Sequence, residues 1–324
     1  AMAASRNKPS SDLPAQLAAF LAATVPATQL LCVGLSGGRD SVVLLHALLR
    51  AGCAGRLSAI HVHHGLSPHA DSWAEHCQAL CGALGVPLQV ERVTVAADGG
   101  FGLEAAARDA RYAAFAATSA DCLLLAHHRD DQAETVLFNL LRGCGVAGAR
   151  GMRAERMAGG KRILRPLLTV PATEIAAYAK VESLSWIEDE SNRDIAYSRN
   201  FLRHEVMPQL ESRFPAASAQ LAKAASHFAE AEDLLADLAA LDWADCADGT
   251  CLQLPALQQL SAMRIRNLLR WRLQQLAWRT PAAARIDEFV RQLQASGPEG
   301  QPLLSLPDGQ LRVHGRCLEF LAAS

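Results

Sequence analysis

Short apolar runs alternate with longer amphipathic segments along the first half of the chain. Leu31, Val33 and Leu35 form one such run between small residues, a pattern typical of a strand covered on both faces. The pattern predicts strands at 31–35, 57–62, 88–93 and 122–126, and helices at 15–23, 42–49, 72–84, 104–119 and 131–141. Because strands and helices alternate, we predict an α/β fold, a Rossmann-like parallel sheet with right-handed crossovers.

The second half of the chain loses this alternation. Residues 143–161 are rich in glycine and arginine and predict a mobile loop. A chain of 324 residues is longer than one hydrophobic core usually spans. We therefore predict a tail and short helix at 1–24, the α/β domain at 25–215, and a smaller, mainly helical domain at 216–324. Further elements are predicted as an edge strand at 163–167, helices at 173–180, 201–207 and 216–240, and short strands near 303–306 and 311–321.

Composition narrows the class of protein. Half of the residues are apolar and 20% are charged, as in soluble globular proteins, and no apolar run approaches the ~18 residues needed to span a bilayer. The nine cysteines are scattered without a CxxC pair, which argues against a disulfide framework or a zinc ribbon and fits reduced thiols. The beginning of the sequence lacks the apolar core of a signal peptide, so we expect a cytoplasmic protein that does not bind membranes.

The distribution of charge says more than its total. The net charge of −2 argues against indiscriminate binding to nucleic acid. Yet residues 142–165 contain seven basic residues and one acid, and residues 264–279 contain five arginines and no acid. Two basic patches favour a specific anionic partner. The leucines between the arginines of the second patch are equally typical of an ordinary amphipathic helix whose arginine stems cover its flank.

The stretch after the first predicted strand has the composition of a phosphate site. It reads Ser36, Gly37, Gly38, Arg39, Asp40 and Ser41, directly before a helix. The first amide groups of a helix have no internal partner and favour an anion, and glycine lets a ligand approach the backbone. A carboxylate beside a phosphate makes sense when Mg²⁺ bridges the two. The alternative is a plain turn in which Asp40 or Ser41 caps the helix.

A second polar cluster follows the strand predicted at 122–126. It contains His127, His128 and Asp130, followed by Asp131 and Glu134 at a helix start. Asp131 as N-cap and Glu134 three residues later would form a capping box without any chemistry. The two acids could also hold a metal, orient an amine or accept a proton, and the histidines could contact phosphate or satisfy buried hydrogen bonds. Because ligands bind at the carboxyl ends of parallel strands, both clusters and the histidines at 61–64 are expected at one edge of the sheet.

The first cluster resembles the SGGxDS signature of the N-type ATP pyrophosphatases, also called the PP-loop superfamily, which cleave ATP between its α and β phosphates. The ordered set of motifs resembles the tRNA(Ile)-lysidine synthetase family more closely. The motifs are LSGGRDSVVLLH, HVHHGLSPHADSWAEHC, LEAAARDARY, AHHRDDQAETVLFNLLRGCGVAGARGM, RPLL and WIEDESNRDIAYSRNFLRHEVMP. They cover roughly residues 28–215, and the tail matches only loosely. The resemblance implies the adenine nucleotide alpha-hydrolase type of fold.

The resemblance also implies a two-step reaction. ATP adenylates the wobble cytidine in the CAU anticodon of an isoleucine tRNA and releases pyrophosphate, and the ε-amine of free L-lysine then displaces AMP. The loop residues Ser36–Ser41 and His63 would bind ATP or pyrophosphate, and Asp40 would hold Mg²⁺. Asp131 and Glu134 would bind lysine. The implied catalytic residues are Asp40, His127, Asp131 and Glu134, and the implied tRNA-binding residues are Arg108, Arg111, Arg142 and Arg199.

Other functions share part of this pattern. A tRNA thiolase of the 2-thiocytidine type would need positioned cysteines, and the lack of a CxxC pair counts against it. An amidotransferase-type synthetase would not need two basic patches, and a binding module would hold ATP without releasing pyrophosphate. The sequence resembles a short form of the family, which leaves open how it would reject the methionine tRNA with the same anticodon. A homodimer is among the assemblies that the sequence allows.

Overall fold

The computed structural model describes residues 12–94, 103–189, 194–297 and 299–323. The chain forms two compact units, Ala1–His227 and Phe228–Ser324. Of the tail and short helix predicted at 1–24, residues 1–11 lie outside the described residues, and the helix is present as α1, Leu13–Thr24. The division between the units falls inside helix α10, Ala217–Cys246, whereas the predicted boundary near residue 215 precedes that helix.

The first unit is built on a six-stranded sheet. The strands are β1 Leu31–Gly34, β2 Leu57–His63, β3 Leu88–Arg92, β4 Cys122–Leu124, β5 Glu155–Ala158 and β6 Lys161–Leu164. Their order in the sheet is β3-β2-β1-β4-β6-β5, and every neighbouring pair is parallel except β5 and β6, which are antiparallel. The predicted α/β fold with a parallel sheet is therefore confirmed.

Helices connect the strands and cover the sheet. They are α2 Arg39–Arg50, α3 Ala70–Leu84, α4 Leu103–Ala116, α5 Arg129–Leu141, α6 Val146–Ala149, α7 Ala172–Val181, α8 Ser198–Phe201 and α9 Met207–Arg213. Helix α2 carries almost continuous apolar residues from Val42 to Leu48 and is buried along most of its length, so it forms the centre of the core on one face. Phe115 and Ala114 of α4 pack in a second cluster against Ile60 and Leu123.

The region predicted as a mobile loop, residues 143–161, is instead structured. It contains α6 and the edge strand β5, which returns to β6 through a tight hairpin. Gly159 and Gly160 have φ values of +56° and +75°, a conformation that favours glycine, so the glycines form a turn instead of marking flexibility. Since β5 takes the edge, β6 lies inside the sheet and is not the edge strand that was predicted.

The second unit is mainly helical, as predicted, but it also contains a five-stranded antiparallel sheet with the order β7-β8-β11-β10-β9. The segment predicted as one strand at 311–321 is a hairpin that turns at Gly315 and Arg316, both of positive φ. Its helices are the end of α10, then α11 Leu254–Leu257, α12 Ala262–Gln275 and α13 Ala283–Ala295. Its strands are β7 Ala247–Asp248, β8 Cys251–Gln253, β9 Leu303–Leu306, β10 Gly309–His314 and β11 Cys317–Ala322.

Cysteine chemistry differs from the expectation at one pair. Cys251 and Cys317 are joined by a disulfide between β8 and β11, with 5.9 Å between their Cα atoms. Cys77 and Cys81 are buried, and burial raises the pKa values of their thiols to about 12 and about 11. Among the described residues, no helix has both the length and the hydropathy needed to cross a lipid bilayer.

Candidate active site

The glycine-bearing loop links β1 to the first turn of α2. Gly37 has a φ of +87°, and a Cβ atom there would come within 2.9 Å of the Ile187 side chain. The Ile187 amide donates a hydrogen bond to the Gly37 carbonyl oxygen at 2.9 Å. The loop is therefore fixed by a backbone conformation that needs glycine and by a neighbouring segment that leaves no room for a side chain.

The N-terminus of α2 faces this loop without a side-chain cap. Gly38 is the N-cap residue and supplies no capping group, so neither Asp40 nor Ser41 caps the helix as the alternative interpretation required. The Ser36 and Ser41 hydroxyl oxygens are 3.1 Å apart, and the Ser41 hydroxyl donates to the Gly38 carbonyl at 2.9 Å. An uncapped helix start flanked by hydroxyl groups has the donors that a phosphate requires.

Asp40 lies in the first turn of α2 between the Arg39 guanidinium and the His128 imidazole. The Arg39 Nε atom donates to Asp40 Oδ1 at 2.8 Å, and the Nε2 atom of His128 lies 3.5 Å from Asp40 Oδ2. Burial works against the charge of Asp40, but His128 and Arg39 outweigh it and lower the pKa of the carboxyl. Asp40 is therefore an ionised, partly exposed oxygen donor beside the phosphate-type loop.

His128 joins this loop to the second cluster. Its Nε2 atom is also 3.5 Å from Asp131 Oδ2, so one imidazole lies between the carboxylates of α2 and α5. Burial opposes protonation of His128, but the bond to Asp40 and the charges of Asp131, Asp40 and Asp130 outweigh it and raise the pKa of the ring. The two clusters that the sequence placed at one edge of the sheet are thus in contact through His128.

Helix α5 begins with a capping box, but at other positions than those predicted. His128 is the N-cap residue, and its Nδ1 atom accepts from the Asp131 amide while Asp131 Oδ2 accepts from the His128 amide. Asp131 is therefore the third helical residue and not the N-cap. Since Glu134 takes no part in the box, capping does not account for the second carboxylate.

Asp131 and Glu134 converge on Arg203. The Arg203 Nε atom donates to Glu134 Oε1 at 2.8 Å, and its Nη2 atom donates to Glu134 Oε2 at 2.8 Å and to Asp131 Oδ1 at 2.7 Å. Burial raises the pKa of Glu134 although Arg203 opposes this. The carboxylates outweigh the burial of Arg203 and raise the pKa of its guanidinium. The pair of acids is a built site for a cationic nitrogen.

Of three other predicted residues, Asp130 and His63 have hydrogen-bond partners of their own. Asp130 accepts from the Ala172 amide at 2.7 Å and from the Ser218 hydroxyl at 2.9 Å, which is a structural role. His63 is buried, with Nε2 at 3.2 Å from Asp71 and 3.3 Å from Arg92. Burial lowers the pKa of His127 to about 4, so this ring is neutral at pH 7.

Two protein-family models match most of the chain. The PP-loop domain matches residues 9–210, and the TilS substrate binding domain matches residues 252–319. The tRNA(Ile)-lysidine synthase of Alkalilimnicola ehrlichii is 48% identical over 303 residues, covering 92% of this chain and 68% of that protein. The chain belongs to the tRNA(Ile)-lysidine synthase family. The synthase of Aromatoleum aromaticum is 51% identical over 279 residues, which are 86% of this chain and 66% of that protein.

The chain spans about two thirds of the length of the lysidine synthases that it matches. Among solved structures, the U34-tRNA thiolase NcsA of Methanococcus maripaludis, with its [4Fe-4S] cluster, superimposes with a TM-score of 0.57 at 16% identity. That match covers 68% of this chain and 79% of the thiolase, and it supports the PP-loop fold alone. Within the described residues of this family member, no three His, Cys, Asp or Glu side chains form a group that could hold a metal.

The four arginines predicted to bind tRNA are all exposed in this member of the lysidine synthase family. Arg108 lies 5.3 Å from the ring centre of Tyr112, and Arg142 lies 5.2 Å from that of Phe138. Arg199 donates to the Thr135 hydroxyl at 2.7 Å, and Arg111 donates to His64 at 3.4 Å. The Tyr112 and Phe138 rings, the Thr135 hydroxyl and His64 do not neutralise a guanidinium charge. The role of the four arginines toward RNA stays a prediction.

The arginines of the second basic patch, residues 264–279, mostly contact other residues of the second unit. Arg264 and Arg266 pair with Asp242 and Asp287, and Arg279 pairs with Asp308. Arg272 lies 4.3 Å from the ring centre of Trp243. Because Ile265, Leu268, Leu269 and Leu273 of α12 are buried, the amphipathic-helix interpretation describes this segment better than an RNA-binding surface does.

Two residues of the site escaped the sequence analysis. Arg203 lies about 70 residues after the acids that it binds, in the π-helical turn Leu202–Val206 between α8 and α9. Single π turns inside helices are frequent at functional sites, but the sequence carries no mark of one. His128 was expected to contact phosphate or to satisfy a buried hydrogen bond. Its contact with Asp40 was missed because it depends on the neighbouring positions of β1 and β4 in the sheet.

Proposed function

We propose that this chain ligates L-lysine to the wobble cytidine of the CAU anticodon of an isoleucine tRNA, with ATP as the energy source. In the first step a cytidine oxygen attacks the α phosphate of ATP, and pyrophosphate leaves. In the second step the ε-nitrogen of lysine forms a bond to the base carbon that carries this oxygen. The carbon–oxygen bond to AMP breaks, and the nitrogen loses a proton. The products are lysidine in the tRNA, AMP and pyrophosphate.

The contact of His128 with both Asp40 and Asp131 carries this proposal. It joins a phosphate-type loop to a pair of acids shaped for a cationic nitrogen, with Nε2 at 3.5 Å from each carboxylate. A reaction that couples cleavage of ATP to attack by an amine needs these two halves side by side. Membership of the lysidine synthase family supplies the identity of the nucleophile and of the RNA.

The loop half binds the triphosphate. The uncapped amides at the start of α2 and the hydroxyls of Ser36 and Ser41 would hold the leaving pyrophosphate, and Arg39 adds a positive charge. Asp40 offers a hard, ionised oxygen, and Mg²⁺ is commonly bound by one or two carboxylates together with substrate phosphates. The residues present thus fit a magnesium ion that arrives with ATP, which would neutralise charge developing on the phosphates. His63 at the end of β2 is a proposed further contact for ATP.

The acid half binds lysine. Asp131 and Glu134 would hold the ε-ammonium group, which takes the position of the Arg203 guanidinium. A base must remove one proton before the nitrogen attacks, and Glu134, whose pKa is raised by burial, is the better acceptor of the two. His127 is neutral and lies at the same strand end, so it would orient the cytidine by a hydrogen bond and would not act as an acid.

The partners follow from the same proposal. The RNA partner is an isoleucine tRNA with a CAU anticodon, contacted by Arg108, Arg111, Arg142 and Arg199, and the small substrate is free L-lysine. Such a reaction belongs in the cytoplasm, where tRNA, ATP and free lysine are together. A homodimer stays a prediction.

The test is incorporation of labelled L-lysine into an isoleucine tRNA transcript with ATP and Mg²⁺. We expect label in the RNA and one pyrophosphate released per lysine, and no label in a methionine tRNA transcript with the same anticodon. Asp40→Ala should abolish pyrophosphate release while the protein stays folded. ATP binding by the folded protein without lysine in the isoleucine tRNA would overturn the proposal.

A further inference from the structure

A small cavity of about 250 Å³ lies beside the acid half of the site in the first unit. It is lined mainly by arginine and by no acidic residue. The arginines come from five different elements or loops, so the fold gathers charges that are far apart in sequence. They are Arg108, Arg150, Arg153, Arg156, Arg165 and Arg199.

Four of the cavity arginines contact uncharged groups of the protein. Arg108 and Arg156 lie over the Tyr112 ring, at 5.3 and 4.7 Å from its centre. Arg165 donates to the Arg153 carbonyl oxygen at 2.7 Å, and Arg199 donates to the Thr135 hydroxyl. These three partners are neutral, whereas three arginines of the patch at 264–279 are each paired with an aspartate.

Buried donors in the cavity wall are unused. Arg165 is only 3% exposed, and its Nε atom has no hydrogen-bond partner in the described part of the chain. The same holds for the Nε atom of Arg156, and the Nδ1 atom of the neutral His127 ring is also without a partner. Buried polar groups are normally satisfied, so a cavity that contains two unused guanidinium donors is built for a ligand with acceptor oxygens.

We infer that this cavity binds a phosphodiester group of the RNA substrate, close to the nucleotide that reacts. Arginine forks match the oxygens of a phosphate, and the cavity is smaller than typical sites for a whole nucleotide cofactor. Thr135 lines the cavity and donates to the Asp131 carbonyl oxygen at 2.7 Å, so the bound phosphate lies one helical turn from the proposed lysine site. The identity of the RNA rests on the proposed function, but the anion chemistry does not.

Binding measurements without ATP or lysine test the inference separately from the reaction. The probe is an isoleucine tRNA assembled from two synthetic halves, in which each phosphodiester around the wobble cytidine is replaced in turn by a neutral methylphosphonate. One replacement should weaken binding to the unaltered protein by about tenfold, the effect of one charged contact. The Arg156→Gln variant should bind the unmodified RNA about tenfold more weakly than the unaltered protein does. The sensitive methylphosphonate should not weaken the binding of this variant any further.

Two controls define the failure of the inference. Arg50→Gln removes an exposed charge at the last residue of α2, away from the cavity lining, and should leave RNA binding unchanged. If Arg156→Gln does not fold, Arg108→Gln on the exposed face of α4 replaces it in the same series. The inference would be overturned if every methylphosphonate lowered the affinity for RNA equally in the variant and in the unaltered protein. It would also be overturned if the variant bound ATP more weakly but bound RNA normally. A failure of lysine incorporation alone would count only against the proposed function.

Discussion

Arg203 binds both carboxylate oxygens of Glu134, at 2.8 Å each. This pair places the guanidinium of the chain where the proposed lysine ammonium must bind. Because the same oxygens cannot satisfy both cations, we expect lysine to displace Arg203. The side chain of Arg203 is 39% exposed and has an exit toward solvent.

Arg203→Gln should therefore lower the KM for lysine several-fold, since a competing cation is removed. Loss of that cation should also raise the pKa of Glu134 further and move the activity profile to higher pH. Steady-state kinetics with lysine as the varied substrate at several pH values would measure both effects. A higher KM for lysine would show that Arg203 assists binding of the substrate and does not compete with it.

Asp131→Asn should reduce lysine use by about 10- to 100-fold, because a charge-assisted contact to the ammonium is lost. The adenylated RNA intermediate should still form and accumulate. Asp130→Asn is the matched control, since Asp130 binds the Ala172 amide and the Ser218 hydroxyl. It should cost about 1–3 kcal/mol of stability and leave the KM for lysine unchanged. Equal lysine dependence in both variants would contradict the assignment.

Adjacent glycines in the loop should respond differently to alanine. Gly37→Ala places a Cβ atom at positive φ and within 2.9 Å of Ile187, so we expect a loss of about 1–3 kcal/mol in stability and weaker ATP binding. Gly38→Ala meets only the Ser36 hydroxyl at 3.4 Å and should unfold close to the temperature of the unaltered protein. Thermal unfolding with and without ATP compares the two, and equal midpoints would disprove the constraint at Gly37.

The Asp40–His128 pair should give stability a defined pH dependence. The folded pKa of His128 is raised, so its contribution is complete below the ordinary value of 6.5 and is lost as pH rises through the folded pKa. The folded pKa of Asp40 is lowered, so its contribution is present above the ordinary 3.8 and is lost as pH falls through the folded pKa. The pair therefore stabilises the fold most between pH 3.8 and 6.5.

Asp40→Asn should accordingly lower the free energy of unfolding most at about pH 5–6 and less as pH rises above the folded pKa of His128. Denaturant titrations of both proteins across this range provide the measurement. If the difference in free energy of unfolding between the two proteins stayed constant with pH, Asp40 and His128 would not interact electrostatically.

Two arginines of α12 should differ in how much they contribute to stability. Arg264 pairs with the fully buried Asp242, so Arg264→Ala should lower the unfolding temperature of the second unit and leave the KM for tRNA unchanged. Arg270 is exposed and, within the described residues, pairs with no carboxylate, so Arg270→Ala should leave stability unchanged. A raised KM for tRNA in Arg264→Ala without loss of stability would restore the RNA-binding interpretation of this patch.

The order of strands and helices and the two polar clusters could be predicted from the sequence because they depend on local patterns. Periodicity located β1 and α2, and the glycines identified the loop between them. The hairpin between β5 and β6 was missed because Gly159 and Gly160 mark a turn as readily as a mobile loop. Arg203 was missed for another reason, since its bonds to Asp131 and Glu134 depend on tertiary packing that no spacing along the chain reveals.

The position of His128 has a consequence for mutational tolerance. One atom of this ring accepts from the Asp131 amide, and another lies between two carboxylates of different helices. A replacement must satisfy both demands within a buried space, so substitutions that preserve the helix start will still disturb the neighbourhood of the loop. Variation at position 128 is therefore constrained by both half-reactions at once, and we expect a saturation library selected for lysidine formation to retain histidine there.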